Sequence, residues 1–121
     1  MKISKTFHFE AAHHLPNHNG PCARMHGHSY KLEVILKGSV IDNPGHSSDG
    51  MVMDFGDLSN LVKTRIIDKV DHQDLNEVYD FRPTAENLLM EFWKPLSNIH
   101  QLHALRLWET ENAYAEITAD G

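Results

Sequence analysis

From residue 3 to residue 13 apolar and polar positions alternate along the chain. Ile3, Phe7, Phe9, Ala11 and His13 share one parity, while Ser4, Thr6, His8 and Glu10 share the other. That period predicts a strand with one buried face. Residues 26–38 repeat the pattern, with His26, His28, Tyr30, Leu32, Val34 and Leu36 on a single face. Between the two, His14 to Met25 carries Pro16, Asn17, Asn19, Gly20 and Pro21 and reads as a loop. A second loop runs through Asn43-Pro44-Gly45 to Gly50. The period then lengthens. Asp54 is placed to cap a helix whose Leu58, Leu61, Val62, Ile66 and Val70 fall at helical spacing. Pro83-Thr84 opens another, in which Thr84 caps, Glu86 suits the positive N-terminal end, and Leu88, Leu89, Phe92, Trp93 and Leu96 form the buried stripe. Pro95 predicts a strained or early end to that helix. Two closing strands follow, around 102–110 and 113–118. The order ββααββ predicts an α+β domain with helices on one face of an antiparallel sheet.

Length and composition narrow what such a domain does. At 121 residues, 40% hydrophobic and 23% charged, the chain builds one core and one domain, 1–121. A net charge of −6 argues against general nucleic-acid binding, which needs clustered Lys and Arg, but not against a small anion in a locally basic pocket. The N-terminal stretch lacks the apolar region of a secretory signal, and no apolar run approaches the length that spans a bilayer. The single cysteine, Cys22, has no intrachain partner, which suits a reducing cytoplasm. Ten dispersed histidines are the anomaly.

Three of them form a chemical pattern. In His26-Gly27-His28 the two imidazoles point the same way on a strand, and Gly27 leaves room for a ligand or another backbone segment. His13 ends the preceding strand, and an antiparallel neighbour would bring it beside the pair. Three neutral imidazoles with an open coordination position make the ligand set of a catalytic zinc site. Taken alone, a His-x-His on a strand is more often a solvated or core pair; His13 and Cys22 shift that balance. A nearby cation and Arg24 would both favour the Cys22 thiolate. Asp71-His72 offers a carboxylate and a general acid/base, but neighbours in extended chain point apart, so their contact requires a bend, and from the residues alone a solvated helix end is the stronger reading. His8, His18, His46, His100 and His103 read as surface or loop residues. No His-Glu-x-x-His and no Pro-Cys-x-x-Cys occurs, so zincin and nucleobase-deaminase chemistries are excluded.

Taken together, Phe9-Glu10-Ala11-Ala12-His13, Cys22 with His26-Gly27-His28, Met51-Val52-Met53-Asp54-Phe55, Asp71-His72, Pro83-Thr84-Ala85-Glu86-Asn87 and Glu109-Thr110 span nearly the whole chain. In that order they closely resemble the family of 6-pyruvoyl- and 6-carboxytetrahydropterin synthases. The short Cys-x3-His spacing resembles the bacterial, carboxy-forming branch of queuosine biosynthesis. The resemblance implies a tunnelling fold with a four-stranded antiparallel sheet and two helices, assembled into trimers or hexamers with active sites between subunits. It implies Zn2+ on His13, His26 and His28, with Cys22 moving protons and Asp71 and His72 assisting a cysteine across a subunit boundary, where the missing bend would not matter. The implied substrate is 7,8-dihydroneopterin triphosphate, its ring held by Glu109 with Thr84 and Glu86 nearby, and its phosphates by Arg24 and Lys31. Three rivals remain open: the pyruvoyl-forming reaction, a cysteine hydrolase using Cys22, His72 and Asp71, and a non-catalytic zinc- or pterin-binding subunit.

Overall fold

The computed structural model describes residues 1–121. The first two expected strands are β1, Lys2–His13, and β2, His26–Lys37. They pair antiparallel with Phe9 opposite Tyr30, Ala11 opposite His28 and His13 opposite His26. Phe7, Phe9, Ala11, Tyr30, Leu32, Val34 and Leu36 are all buried, so the alternation marks the core face. The intervening loop tightens into a 3-10 turn at Pro21–Ala23, and the Leu15 N–H donates to the Cys22 carbonyl at 2.7 Å.

Helix α1, Phe55–Val62, starts where Asp54 accepts from the N–H groups of Gly56 and Asp57. It runs on through a π turn, Lys63–Ile67, into α2, Asp68–Val70, where the spacing predicts one regular helix. Leu58, Val62, Ile66 and Val70 lie four apart and are all buried. Each such step drifts by about 40° around an α-helix. The wider π turn takes up the drift and keeps the row on the core.

The chain then makes β3, Gln73–Asp74, the short helix α3, Leu75–Val78, and α4, Ala85–Leu96. Thr84 Oγ1 caps α4 by accepting from the Asn87 N–H at 3.1 Å. Pro95 is its penultimate residue, so the helix stops where proline predicts. Strands β4, Leu102–Thr110, and β5, Ala113–Thr118, complete the sheet. Its order is β3-β1-β2-β4-β5, five strands rather than four. The addition is β3, which pairs parallel with Ala11 and Ala12 of β1; two residues are too few to show a period. The four long strands and two long helical segments otherwise follow the expected α+β order.

The sheet face away from the core is polar and ordered. Ser4 Oγ donates to Glu33 at 2.6 Å, Ser29 Oγ donates to Glu10 at 2.7 Å, and Arg106 bridges Glu33 and Glu116. No helix is long and apolar enough to cross a membrane.

Candidate metal centre and active site

The register of β1 and β2 builds the site. His13, the last residue of β1, faces His26, the first of β2, and His28 follows on the same face. The three ring centroids lie 4.5, 4.8 and 5.0 Å apart. One nitrogen from each ring falls within 4.8 Å of the others.

Two of the tautomers follow from neighbouring carbonyls. His13 Nδ1 lies 2.8 Å from the Pro83 carbonyl, and His26 Nδ1 lies 2.8 Å from the Arg24 carbonyl. A carbonyl only accepts, so each Nδ1 carries the hydrogen and each Nε2 keeps a lone pair. Nε2 of His13 and Nε2 of His28 are buried without a partner. Buried polar atoms are ordinarily satisfied, so these fit a cation. Burial is the main cause lowering the pKa of both His13 and His28, against the opposing charge of Glu109. Both are therefore neutral near pH 7, as ligation requires. Behind them Tyr30 stacks on Phe9 at 4.7 Å and places its hydroxyl 3.3 Å from His13 Nδ1. Burial pushes that phenol well above its ordinary range.

Cys22 is half-buried in the 3-10 turn and stands outside the three-histidine set. The bend required at Asp71-His72 is present within a single chain. His72 has φ +60°, a left-handed conformation uncommon outside glycine. The main chain of Glu10 holds it there: the His72 N–H donates to the Glu10 carbonyl, and the Glu10 N–H donates to Asp71 Oδ1 at 3.0 Å. Asp71 Oδ1 then sits 3.0 Å from His72 Nδ1. The Glu10 N–H is the largest cause holding the Asp71 carboxyl below the usual range, and His72 adds to it. The His72 side chain is 78% exposed and lines a cleft of about 480 Å³ with Glu10, Ala12, Gly27 and His28. Cys22 does not line that cleft.

A second cleft, of about 530 Å³, is lined by His28, Lys31, Trp108 and Glu109. Lys31 Nζ lies 4.0 Å over the Trp108 ring. Glu109 Oε2 is 3.8 Å from His28 Nε2, and the same residue lines a third cleft of about 220 Å³ with Glu86, Thr110 and Tyr114. Glu109 thus connects the histidines to the start of α4. Thr84 is half-buried with Oγ1 engaged in its cap, and Arg24 is exposed.

Of the two uses expected of Gly27, room for a ligand or for another backbone segment, the structure leaves the first. An added Cβ would meet only the Ala11 carbonyl, at 3.8 Å, so no close backbone approach demands glycine. Gly27 instead forms floor shared by the first two clefts. Sequence reasoning also passed over the carbonyls of Pro83 and Arg24, the main chain of Glu10, and Asn76. Main-chain acceptors carry no residue signature, and a lone asparagine belongs to no motif.

A family model described as 6-pyruvoyl tetrahydropterin synthase matches residues 2–120. A Haemophilus influenzae protein named 6-carboxy-5,6,7,8-tetrahydropterin synthase is 36% identical over 139 residues, covering 96% of this chain and 97% of that one. A Dictyostelium discoideum protein named 6-pyruvoyl tetrahydrobiopterin synthase is 36% identical over 101 residues, covering 78% and 71%. Among solved structures, the Caenorhabditis elegans 6-pyruvoyl tetrahydropterin synthase superposes with a TM-score of 0.84 at 24% identity, covering 98% and 95%. At that identity the likeness speaks for the fold.

Proposed function

The chain belongs to the 6-pyruvoyl tetrahydropterin synthase family, and within it we propose that it converts 7,8-dihydroneopterin triphosphate to 6-carboxy-5,6,7,8-tetrahydropterin. Acetaldehyde and triphosphate are the co-products, and queuosine biosynthesis in the cytoplasm is the setting. The atoms balance with consumption of a water molecule, and no external oxidant or reductant is required. The observation that carries the reading is the pair of buried, unpartnered Nε2 atoms on His13 and His28 beside His26. The 36% identity to a relative named for this product supports the carboxy branch.

In this reading His13, His26 and His28 hold Zn2+. The bound ion supplies Lewis-acid polarisation of oxygens on the substrate side chain. Cys22, as thiolate, takes a proton from a side-chain carbon next to the pterin ring. His72 donates Nδ1–H to the Asp71 carboxylate, which leaves its outward Nε2 to accept and return protons. Glu109 accepts from the 2-amino group and ring N–H of the pterin, with Glu86 lining the same cleft and Thr84, the cap of α4, adding a contact to the ring. Arg24 and Lys31 offer positive charge to the triphosphate. Cys22 does not line the cleft that holds His72, so we assign the meeting of Cys22 and the dyad to neighbouring copies in a trimer or hexamer.

Mass spectrometry of products from 7,8-dihydroneopterin triphosphate tests this. Carboxytetrahydropterin with acetaldehyde is expected. A pyruvoyl product without acetaldehyde would assign the other branch, which the name of the Dictyostelium relative describes. Absence of both products would reject the pterin synthase reading.

A further inference from the structure

Residues 71–76 form a strap across the end of β1. Before His13, the strap holds Glu10 through Asp71 and His72, and pairs β3 with Ala11 and Ala12. After His13, a single side chain takes over. Asn76 Oδ1 accepts from the His14 N–H at 2.9 Å, and Asn76 Nδ2 donates to the His14 carbonyl at 3.0 Å. The Asn76 N–H in turn donates to Asp74 Oδ1 at 3.0 Å, which fixes the turn that carries it. A carboxamide presents an acceptor and a donor side by side. It therefore reproduces the two-point pairing of a neighbouring strand just beyond the end of β3.

The clasp bears on the metal centre because the His13 ring turns with its main chain. Pro83 holds the ring itself at Nδ1, while β3 and Asn76 hold the peptide units on its two sides. Asn76 is half-buried, so its bonds face little competition from water. Without the clasp, the His14 N–H and carbonyl both lose their partners, and Pro83 is left as the one contact outside the sheet that holds the His13 ring toward His26 and His28.

We propose that Asn76 is a positioning residue for His13, clasping the His14 peptide so that the three imidazoles converge before any ion arrives. The proposal rests on the reading of the three histidines as a metal centre. Its own content is that ligand affinity depends on a side chain that touches neither metal nor substrate.

Cobalt(II) added to the metal-free full-length protein is the probe, with affinity read by chelator competition and ligand geometry by visible absorption. Equimolar binding by the wild type tests the metal centre by itself. Asn76→Asp keeps an acceptor for the His14 N–H but sets a carboxylate oxygen against the His14 carbonyl, and Asn76→Ala removes both contacts. Each is expected to weaken Co2+ binding by about tenfold or more, the range for groups that orient ligands. Each should also change the absorption bands, whereas Glu77→Ala on the same turn should change neither. A folded Asn76→Asp with affinity within about twofold of wild type and unchanged bands overturns the proposal. Should neither variant fold, amide exchange in the wild type decides. The clasp requires the His14 N–H to be protected like its neighbours in β1, and exchange at the rate of an unstructured peptide overturns it. Failure of the wild type to bind Co2+ while His14 stays protected would reject the metal centre, and with it any positioning role.

Discussion

A buried imidazole whose Nδ1 meets a carbonyl has one tautomer available, and His13 is held in that state by Pro83. Its lowered pKa and that of His28 set a pH dependence. In metal-free protein the unfolded chain takes up protons at these positions that the native state refuses. The stability is therefore fully present above the ordinary 6.5 and is lost as pH falls toward the lowered native values. Urea midpoints of the apo-protein should fall on acidification through that window; a flat profile would contradict the burial argument. Cys22→Ala should abolish turnover while leaving bound metal intact, because Cys22 stands outside the histidine set. Loss of metal in that variant would make the cysteine a ligand. Glu109→Gln should weaken binding of a non-reactive pterin by calorimetry. A charge-assisted hydrogen bond is worth roughly 1.5–3 kcal/mol, so a loss of about tenfold or more is expected. Equal affinities would reduce Glu109 to a charge beside His28. At this scale the convergence of His13, His26 and His28 was legible, since imidazoles of matching parity announce themselves. The partners that orient them were not, because Pro83 and Arg24 contribute carbonyls that any residue possesses.

Among the elements, long periodic segments could be read and short or irregular ones could not. The alternation through β1 and β2 gave both the core face and the convergence of His13 with His26, because antiparallel pairing of two inward faces leaves their ends together. Nothing in Gln73-Asp74 predicts a strand; β3 exists because Asp71 and His72 are tied to Glu10 and deliver the next residues to the β1 edge. The π turn escaped notice for the opposite reason, since its residues satisfy a helical pattern and only the row of buried positions four apart betrays it. The cap on α4 makes a direct test. Thr84→Ala should lower the urea-unfolding free energy by about 1 kcal/mol, the usual cost of a lost N-cap. No change would mean that the Asn87 N–H finds another acceptor. Gly27→Ala should melt at or above the wild-type temperature, since a glycine within a strand costs backbone entropy and the added methyl finds ordinary contacts. A marked drop would show that the glycine serves the backbone after all.

At the scale of the whole molecule, the sheet leaves two edges open. β3 covers only Ala11 and Ala12 of β1, and β5 has no outer neighbour. Unpaired edges are surfaces that proteins cover or pair, and light scattering should find a trimer or hexamer. A monomer at working concentration would remove the shared-site explanation for the separation of Cys22 from His72. No periodicity in the chain announces such an assembly, because edge pairing between copies uses the same backbone groups as any strand; only the family resemblance suggested it. The carbonyls behind His13 and His26 have a further consequence, one for inheritance. A mutation replaces a side chain and leaves the peptide oxygen where the backbone path puts it. Positions 24 and 83 are therefore free to drift as far as the orientation of those two imidazoles is concerned, provided the turns that carry them survive. A lineage can then exchange much of the surrounding sequence and still hand down two imidazoles in the correct tautomer.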